Sequence, residues 1–160
     1  MKTQTTIYFA IDNLAKMFSS DEALRASAMP GGVEIVLFDL INELTSRYSY
    51  KVCFLTYDLN DELISEKISI RNISQNERRA LFVKILEKIG LKKRRIFVND
   101  ERSILYIAQA EGPQLIDAAK RANIPVLFRI NGDSIVDVSL CPDHCYPMVR
   151  NNMTRANLVI

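Results

Sequence analysis

Four short apolar segments, separated by longer stretches with helical periodicity, constrain the fold of this 160-residue chain more than any other feature. The segments cover residues 7–11, 52–55, 96–98 and 126–128. Each is rich in β-branched or aromatic residues and nearly continuous rather than alternating. Such segments are typical of strands that are covered on both faces, as in parallel sheets. Residues 67–70 alternate instead, and they predict an additional, edge-like strand.

Helical periodicity predicts three helices between these segments. Residues 33–44 carry apolar side chains at spacings of three and four. Residues 74–89 begin with a capping-box pattern and end before a glycine. A third helix runs from Pro113 to about residue 122, and a weaker helix is predicted over 101–110. The alternating order predicts an α/β fold, a three-layer sandwich around a mainly parallel sheet with right-handed crossovers.

Composition bounds the class of protein. Hydrophobic residues make up 48% of the chain and charged residues 25%, as in soluble globular domains. No apolar run approaches a membrane span, and the N-terminal residues lack the apolar core of a signal peptide. The net charge of +2 is too small to indicate nucleic acid. The basic run 92–95 is interpreted as a solvated turn, with a patch that contacts phosphate or nucleic acid as the less favoured alternative. We therefore expect one cytoplasmic domain over residues 1–160, with 133–160 as a C-terminal extension and no membrane or nucleic-acid partner.

The three cysteines give no strong indication of a metal or a disulfide. Cys53 lies in an apolar segment and is expected to be a small buried hydrophobe. Cys141 and Cys145 bracket His144, the single histidine of the chain. A structural zinc site needs a fourth ligand, which the sequence around them does not offer. We expect free thiols and no zinc, with a zinc site and a disulfide as the less favoured alternatives.

Polar side chains follow each of the four apolar segments. In an open parallel sheet, ligands bind outside the carboxyl ends of the strands. Oxygen-bearing side chains gathered there suit Mg²⁺ and, with it, a phosphate ligand. The alternative is that these residues only end strands and cap helices. In chain order the polar residues are Asp12–Asn13, Thr56–Tyr57–Asp58, Asn99–Asp100–Glu101 and Asn131–Gly132–Asp133.

The order of these segments resembles the haloacid dehalogenase-like (HAD) phosphohydrolases. Residues 7–13 resemble the first HAD motif, a hydrophobic strand ending in Asp-x-Asp. The Pro30–Gly31–Gly32 loop, the helix after it and the strand ending at Thr56 resemble the second motif. Residues 86–100 are similar to the fourth motif, a Leu-Glu-Lys-x-Gly helix followed by a strand with an acidic end, and residues 116–125 resemble the last, alanine-rich helix. The resemblance covers about residues 5–132 and implies a HAD-like sheet with no cap domain or a minimal one.

The resemblance implies a mechanism and a set of site residues. In this family the first Asp of Asp-x-Asp attacks phosphorus, the second is the acid/base, and Thr and Lys hold the phosphoryl oxygens around Mg²⁺. By position, Asp12 is the acid/base and Thr56 binds phosphate. Asp12 and Asp100 are the implied metal ligands. Lys67 or Arg71 is the implied phosphate-binding cation, with Arg78 as a further alternative, because the usual lysine position carries Gln75 or Asn76.

Besides the missing lysine, the first motif departs from the HAD pattern at two positions. The nucleophile position is Ala10, which has no oxygen, and the usual threonine two residues after the second Asp is Leu14. We therefore expect a pseudoenzyme with lost or crippled aspartyl-phosphate chemistry that binds a phosphorylated small molecule or a protein partner. The alternative is an active Mg²⁺-dependent phosphatase whose nucleophile is replaced in this chain. A non-HAD α/β binding module of flavodoxin-like or receiver-like order is a further alternative.

Overall fold

The computed structural model describes residues 4–74, 96–97, 102–107, 113–129 and 151–160. Residues 151–155 are helical, and so is Ser74. The other elements of the described residues are, in chain order, β1 (Thr6–Phe9), α1 (Asp12–Phe18), α2 (Glu22–Ser27), α3 (Gly32–Arg47), β2 (Lys51–Thr56), β3 (Glu62–Leu63), β4 (Ile68–Asn72), β5 (Ser103–Ile107), α4 (Pro113–Arg121), β6 (Val126–Phe128) and β7 (Leu158–Val159).

The strands form one seven-stranded sheet in the order β3-β4-β2-β1-β5-β6-β7. Every neighbouring pair is parallel except β3 and β4. The chain is therefore an α/β protein with a mainly parallel sheet, as the sequence predicts. The parallel strands run outward from β1 in both directions, which differs from the 2-1-3-4-5 order of flavodoxin-like and receiver-like sheets. The sheet therefore does not have the flavodoxin-like or receiver-like order of the third alternative.

Apolar side chains of the central strands point alternately to the two faces of the sheet, as the pleat requires. On one face Phe9 and Phe54 pack with Leu37 and Ile41 of α3 and with residues of α1. On the opposite face, side chains of β1, β2, β5 and β6 pack with Leu115, Ile116 and Ala119 of α4. Five of the six residues of β2 are buried. Because central strands are covered on both faces, their sequences are nearly continuous apolar runs.

Two sequence predictions around the fifth strand are wrong. Residues 96–97 form a bend, not a strand, and the predicted weak helix over 101–110 is instead the strand β5. Ser103–Ile107 pairs with β1 on one side and β6 on the other, so its backbone groups find partners in two ladders. These pairings decide in favour of the strand, and local periodicity does not register them, because β1 lies nearly one hundred positions away in the chain and β6 about twenty.

Most of the other predicted helices and strands lie within the described residues and can be compared with the structure. The helices at 33–44 and from Pro113 are confirmed by α3 and α4. The strand at 67–70 is confirmed as β4, but β3 lies outside it, so β4 is not the edge. The predicted helix at 74–89 lies outside the described residues, apart from the helical Ser74. In the predicted C-terminal extension, β7 adds a strand beside β6.

Two further findings concern the membrane and the cysteines. Within the described ranges, none of the helices has the length and apolar character needed to cross a membrane. Cys53 is a buried free thiol, as predicted. The Cys141–His144–Cys145 segment lies outside the described residues.

Candidate functional site

Three polar segments meet where β1, β2 and β4 end. Because these strands are parallel neighbours, their carboxyl ends lie at one edge of the sheet, called here the carboxyl edge. β1 ends at Phe9 and continues through Ala10 to Asp12, the first residue of α1. β2 ends at Thr56, which is paired in register with Asn72 of β4. The structure therefore brings Asp12 and Thr56 to the same edge.

The Thr56 hydroxyl is the unusual group at this edge. The residue is completely buried, and its Oγ1 atom has no hydrogen-bond partner among the described residues. A buried hydroxyl without a partner costs about 1–3 kcal/mol of folding free energy. The backbone carbonyl of Thr56 is used normally, since it accepts a hydrogen bond from the N–H of Ile73 at 2.7 Å. Of these two oxygen atoms of Thr56, the hydroxyl is the one that lacks a partner within the described ranges.

Asp12 carries a carboxyl group whose charged form is disfavoured. Burial raises the pKa of Asp12, and the neighbouring Asp58 carboxylate raises it further. Lys16 and a hydrogen bond with the backbone of Tyr57 act in the opposite direction but do not outweigh these effects. A carboxyl group held in this way takes up a proton more readily than an exposed aspartate and can then donate a hydrogen bond.

Asn72 fixes the loop that carries Asp58. Its side-chain amide donates hydrogen bonds to the backbone carbonyl oxygens of Leu59 at 2.5 Å and Tyr57 at 3.3 Å. The Asn72 N–H donates to Oδ1 of Asp61 at 2.7 Å. Three hydrogen bonds therefore tie the loop after β2 to the end of β4. The strand pattern of the sequence stopped at residue 70, so this role was not predicted. The sequence held no signal for this role, because the Asn72-x-Ser74 pattern predicts only the local cap in which Asn72 Oδ1 accepts hydrogen bonds from Ser74.

Ala10 occupies an apolar environment beside the edge. It is only 1% exposed and belongs to the same core cluster as Tyr8, Cys53 and Leu55. Its N–H donates a hydrogen bond to the carbonyl oxygen of Tyr106 at 3.3 Å, which continues the pairing of β1 with β5. The structure thus packs the methyl side chain of Ala10 into the core.

The two predicted phosphate-binding cations lie at different ends of β4. Lys67 precedes β4, at the opposite, amino edge of the sheet, and its Nζ donates to the carbonyl oxygens of Thr45 at 2.5 Å and Tyr48 at 3.3 Å. It thereby satisfies carbonyl groups at the C-terminal end of α3. Arg71 is the penultimate residue of β4, near the carboxyl edge, and its guanidinium donates to the carbonyl oxygen of Ile96 at 2.6 Å. The structure does not bring Lys67 together with Asp12 and Thr56.

Asp100 lies outside the described residues. Its expected place rested on a strand at 96–98, whereas the strand in this part of the chain is β5, which begins after Asp100. Among the residues that the structure describes, no three His, Cys, Asp or Glu side chains group closely enough to hold a metal ion. Asp12 and Asp58 are neighbouring carboxylates at this edge, and residue 10 contributes no side-chain oxygen. Because Asp100 is not among the described residues, the Mg²⁺ site stays a prediction.

Comparison with known proteins adds no relative. Neither the protein-family models, nor the curated proteins, nor the solved structures contain a significant match to this chain.

Proposed function

We propose that this chain is a HAD-like protein that has lost aspartyl-phosphate chemistry and binds a phosphorylated ligand at the carboxyl edge of its sheet. The observation that carries the proposal is the Thr56 hydroxyl, which is buried at that edge and has no hydrogen-bond partner in the described part of the chain. In an open parallel sheet, this edge is where ligands bind. A phosphoryl oxygen is a strong acceptor that would complete the hydrogen bonding of Thr56.

The arrangement of the sheet supports a HAD-like, three-layer architecture. α3 lies on one face and α4 on the other, so the two core clusters are separated by the sheet. Among the parallel strands, the first lies in the centre, the next two follow on one side, and the last ones follow on the other. The direction of the chain reverses at β1, and such a reversal creates the crevice in which doubly wound sheets bind ligands.

Two further groups suit a phosphoryl ligand. When protonated, Asp12 donates a hydrogen bond to a phosphoryl oxygen, and the raised pKa of Asp12 favours this form. Arg71 lies near the same end of β4 and supplies a positive charge that offsets the charge of the ligand. Lys67 takes no part in this proposal, because its ammonium group bonds to α3 at the other edge.

Loss of the covalent chemistry is proposed from Ala10. A carboxylate at this position would be placed among the buried side chains of Tyr8, Cys53 and Leu55. Burying a charge in such surroundings is strongly unfavourable. The apolar packing around Ala10 therefore favours a pseudoenzyme in which alanine is the natural residue over an active enzyme whose aspartate has been replaced by alanine.

The test is the effect of inorganic phosphate on thermal unfolding. A ligand at 100 times its dissociation constant adds about 2.7 kcal/mol of stability, which in a domain of this size raises the melting temperature by several degrees. We expect such a rise for the unmodified chain, measured against sodium chloride of equal ionic strength. Thr56→Val keeps the shape of the side chain and removes the hydroxyl, so we expect it to lose most of the rise.

Ser103→Ala is the matched control. Ser103 is also buried, and its hydroxyl also lacks a partner among the described residues, but it begins β5 at the amino edge. We expect Ser103→Ala to keep the full response to phosphate. An equal response in Thr56→Val and the unmodified chain would contradict the proposal, as would the absence of any response in all three proteins.

A further inference from the structure

The amino edge of the sheet carries more basic than acidic side chains. The parallel strands begin there, and α3 and α4 end there, because each returns the chain to the start of a parallel strand, β2 and β6. Lys67 precedes β4, Lys51 is the first residue of β2, and Arg102 precedes β5. In the strand order of the sheet, the end of α4 comes next, beside β6. We call Lys67, Lys51, Arg102 and Arg121 the basic stripe.

Carboxylates do not neutralise the basic stripe. The segments that meet at the amino edge are residues 4–6, 43–51, 65–67, 102–103 and 119–125. Their carboxylates are Glu43 and Glu66, and Glu43 is already paired with Arg47 at 2.9 Å between Oε1 and Nη1. Among the described residues, no side chain of the basic stripe forms an ion pair. The net charge of +2, on which the expectation of no nucleic-acid partner rests, averages over the whole surface and does not report this local excess.

Two tyrosines lie beside the basic stripe, in the loop between α3 and β2. Tyr48 is 54% exposed and Tyr50 is partly exposed, and their ring centroids are 6.2 Å apart with the ring planes at 58°. Lys67 Nζ donates to the carbonyl oxygen of Tyr48 at 3.3 Å and thereby fixes the loop. Lys51 follows Tyr50 directly, so a positive charge adjoins the rings. Aromatic side chains held in this way offer surfaces on which planar ligands stack.

We propose that the amino edge binds single-stranded nucleic acid, with bases stacked on Tyr48 and Tyr50 and phosphates along the basic stripe. Proteins that bind single strands combine these two features, because every unpaired base has an aromatic face and every nucleotide carries a charge. A duplex keeps its base faces stacked inside and meets only the charges. Lys51 and Arg102 lie on either side of β1, which places their backbones about 10 Å apart. The basic stripe therefore extends over several nucleotides.

The amino edge is separate from the proposed phosphate site at the carboxyl edge. The six residues of β2 lie between the two edges and span about 20 Å. A single phosphate ion gains neither the stacking nor the summed attraction of several charges, so inorganic phosphate is not expected to saturate the basic stripe. Binding at the amino edge therefore does not depend on the proposed function. The basic run 92–95 lies outside the described residues and is not part of the basic stripe.

The experiment measures the fluorescence anisotropy of a labelled oligouridine of about twelve nucleotides as the full chain is added at low salt. We expect saturable binding that weakens as the salt concentration rises, because basic side chains displace counterions from the phosphates. Tyr48→Ala and Tyr50→Ala should each raise the dissociation constant about tenfold. Tyr48→Phe and Tyr50→Phe keep the rings and should bind as the unmodified chain does. Circular dichroism checks that each variant is folded.

Arg102→Ala tests the contribution of the charges. It should weaken binding at low salt and reduce the slope of log K against log salt concentration by about 0.7, the value for one phosphate of a single strand. Arg129→Ala is the matched control, because Arg129 follows β6 at the carboxyl edge, and it should change neither quantity. Polyglutamate carries charge without bases and should compete more weakly than unlabelled oligouridine.

Three results would overturn the proposal. One is the absence of binding at about 100 μM chain, the weak end of non-specific affinity. Another is equal binding by the tyrosine-to-alanine variants and the unmodified chain, or equal competition by polyglutamate, since either would mean attraction to any polyanion. The third is displacement of the oligonucleotide by inorganic phosphate beyond the effect of sodium chloride at equal ionic strength, which would place it at the carboxyl edge. Weaker binding in both alanine variants, with both phenylalanine variants and Arg129→Ala unchanged, supports the proposal.

Discussion

The two edges of the sheet handle their polar groups differently. At the amino edge, Lys67 donates to two backbone carbonyl oxygens at the end of α3, and the Thr45 hydroxyl donates to the carbonyl oxygen of Ile41 at 2.8 Å. At the carboxyl edge, the Thr56 hydroxyl is buried without a described partner, and the pKa of Asp12 is raised by burial and by Asp58. Under the proposed function, Lys67 and Thr45 complete the fold, whereas Thr56 and Asp12 bear an energetic penalty that a ligand would relieve.

Ser103 shows that an unpaired hydroxyl does not define a site by itself. It is buried and unpartnered among the described residues, as Thr56 is, yet it lies at the amino edge. What distinguishes Thr56 is its place at the carboxyl edge, on the strand next to β1, together with Asp12 and the anchored loop 57–61. The difference between these two hydroxyls can be tested by experiment.

The largest effect is expected for Ala10→Asp. An unpaired carboxylate in the apolar cluster should destabilise the protein by about 3–5 kcal/mol, measured by urea unfolding. Ala119→Asp is the matched control, because Ala119 of α4 is equally buried in the same cluster. If Ala10→Asp lowers the free energy of unfolding much less than Ala119→Asp does, position 10 is a site formed for a carboxylate. Phosphatase activity of Ala10→Asp with Mg²⁺ would then favour the active-enzyme alternative.

A smaller effect is expected at the amino edge. Lys67→Met keeps the length of the side chain but removes the ammonium group that bonds to Thr45 and Tyr48. We expect a loss of about 1 kcal/mol in the free energy of unfolding and no change in the response to inorganic phosphate. Loss of that response in a folded Lys67→Met protein would assign Lys67 to the ligand site and remove the distinction between the edges.

A pH-dependent effect is expected for Asp12→Asn. The folded pKa of Asp12 is raised above its unfolded value, so ionisation of this residue opposes folding. The penalty is absent below the unfolded pKa, near 4, and develops as the pH rises through the folded pKa. Asp12→Asn should therefore raise the melting temperature at pH 7 and have no such effect at pH 3.

Because Asp12 is partly exposed, the gain should stay below about 1 kcal/mol. Asp39→Asn, which removes one exposed carboxylate from α3, controls for the change in net charge. A lower melting temperature for Asp12→Asn at pH 7 would contradict the raised pKa.

The smallest effect is expected for Thr56→Val in the absence of phosphate. Replacing an unpaired buried hydroxyl by a methyl group of similar volume should leave the stability unchanged or raise it by up to about 1 kcal/mol. A clear destabilisation in urea unfolding would mean that the hydroxyl is satisfied within the protein. Thr56 would then resemble Thr45 and the comparison of the edges would fail.

The elements that were predicted correctly have local signals. α3 and α4 follow from helical spacing, and β1, β2 and β6 follow from apolar runs bounded by polar residues. β5 was missed because Ser103–Ile107 and residues 96–98 are both short and apolar. What makes Ser103–Ile107 the strand is its pairing with β1 and β6, and the periodicity within a short segment does not reveal that pairing.

In the candidate site, too, some features have a local sequence signal and others depend on the fold. Asp12 and Thr56 were predicted from a simple rule, that side chains after parallel strands share one edge. Lys67 was considered for its charge alone, although it precedes its strand and therefore belongs to the opposite edge. The roles of Asn72 and of the unpaired Thr56 hydroxyl depend on three-dimensional contacts, which no spacing in the sequence encodes.

The most direct measurement is an NMR titration of the ¹⁵N-labelled full chain with inorganic phosphate, following the backbone amide resonances at both edges of the sheet. The account predicts saturable shifts at residues 10–13 and 56–58, with little change at Lys51, Lys67 and Arg102 on the amino edge. Shifts confined to the amino edge, or no saturable shift at either edge, would contradict the assignment of the ligand site to the carboxyl edge.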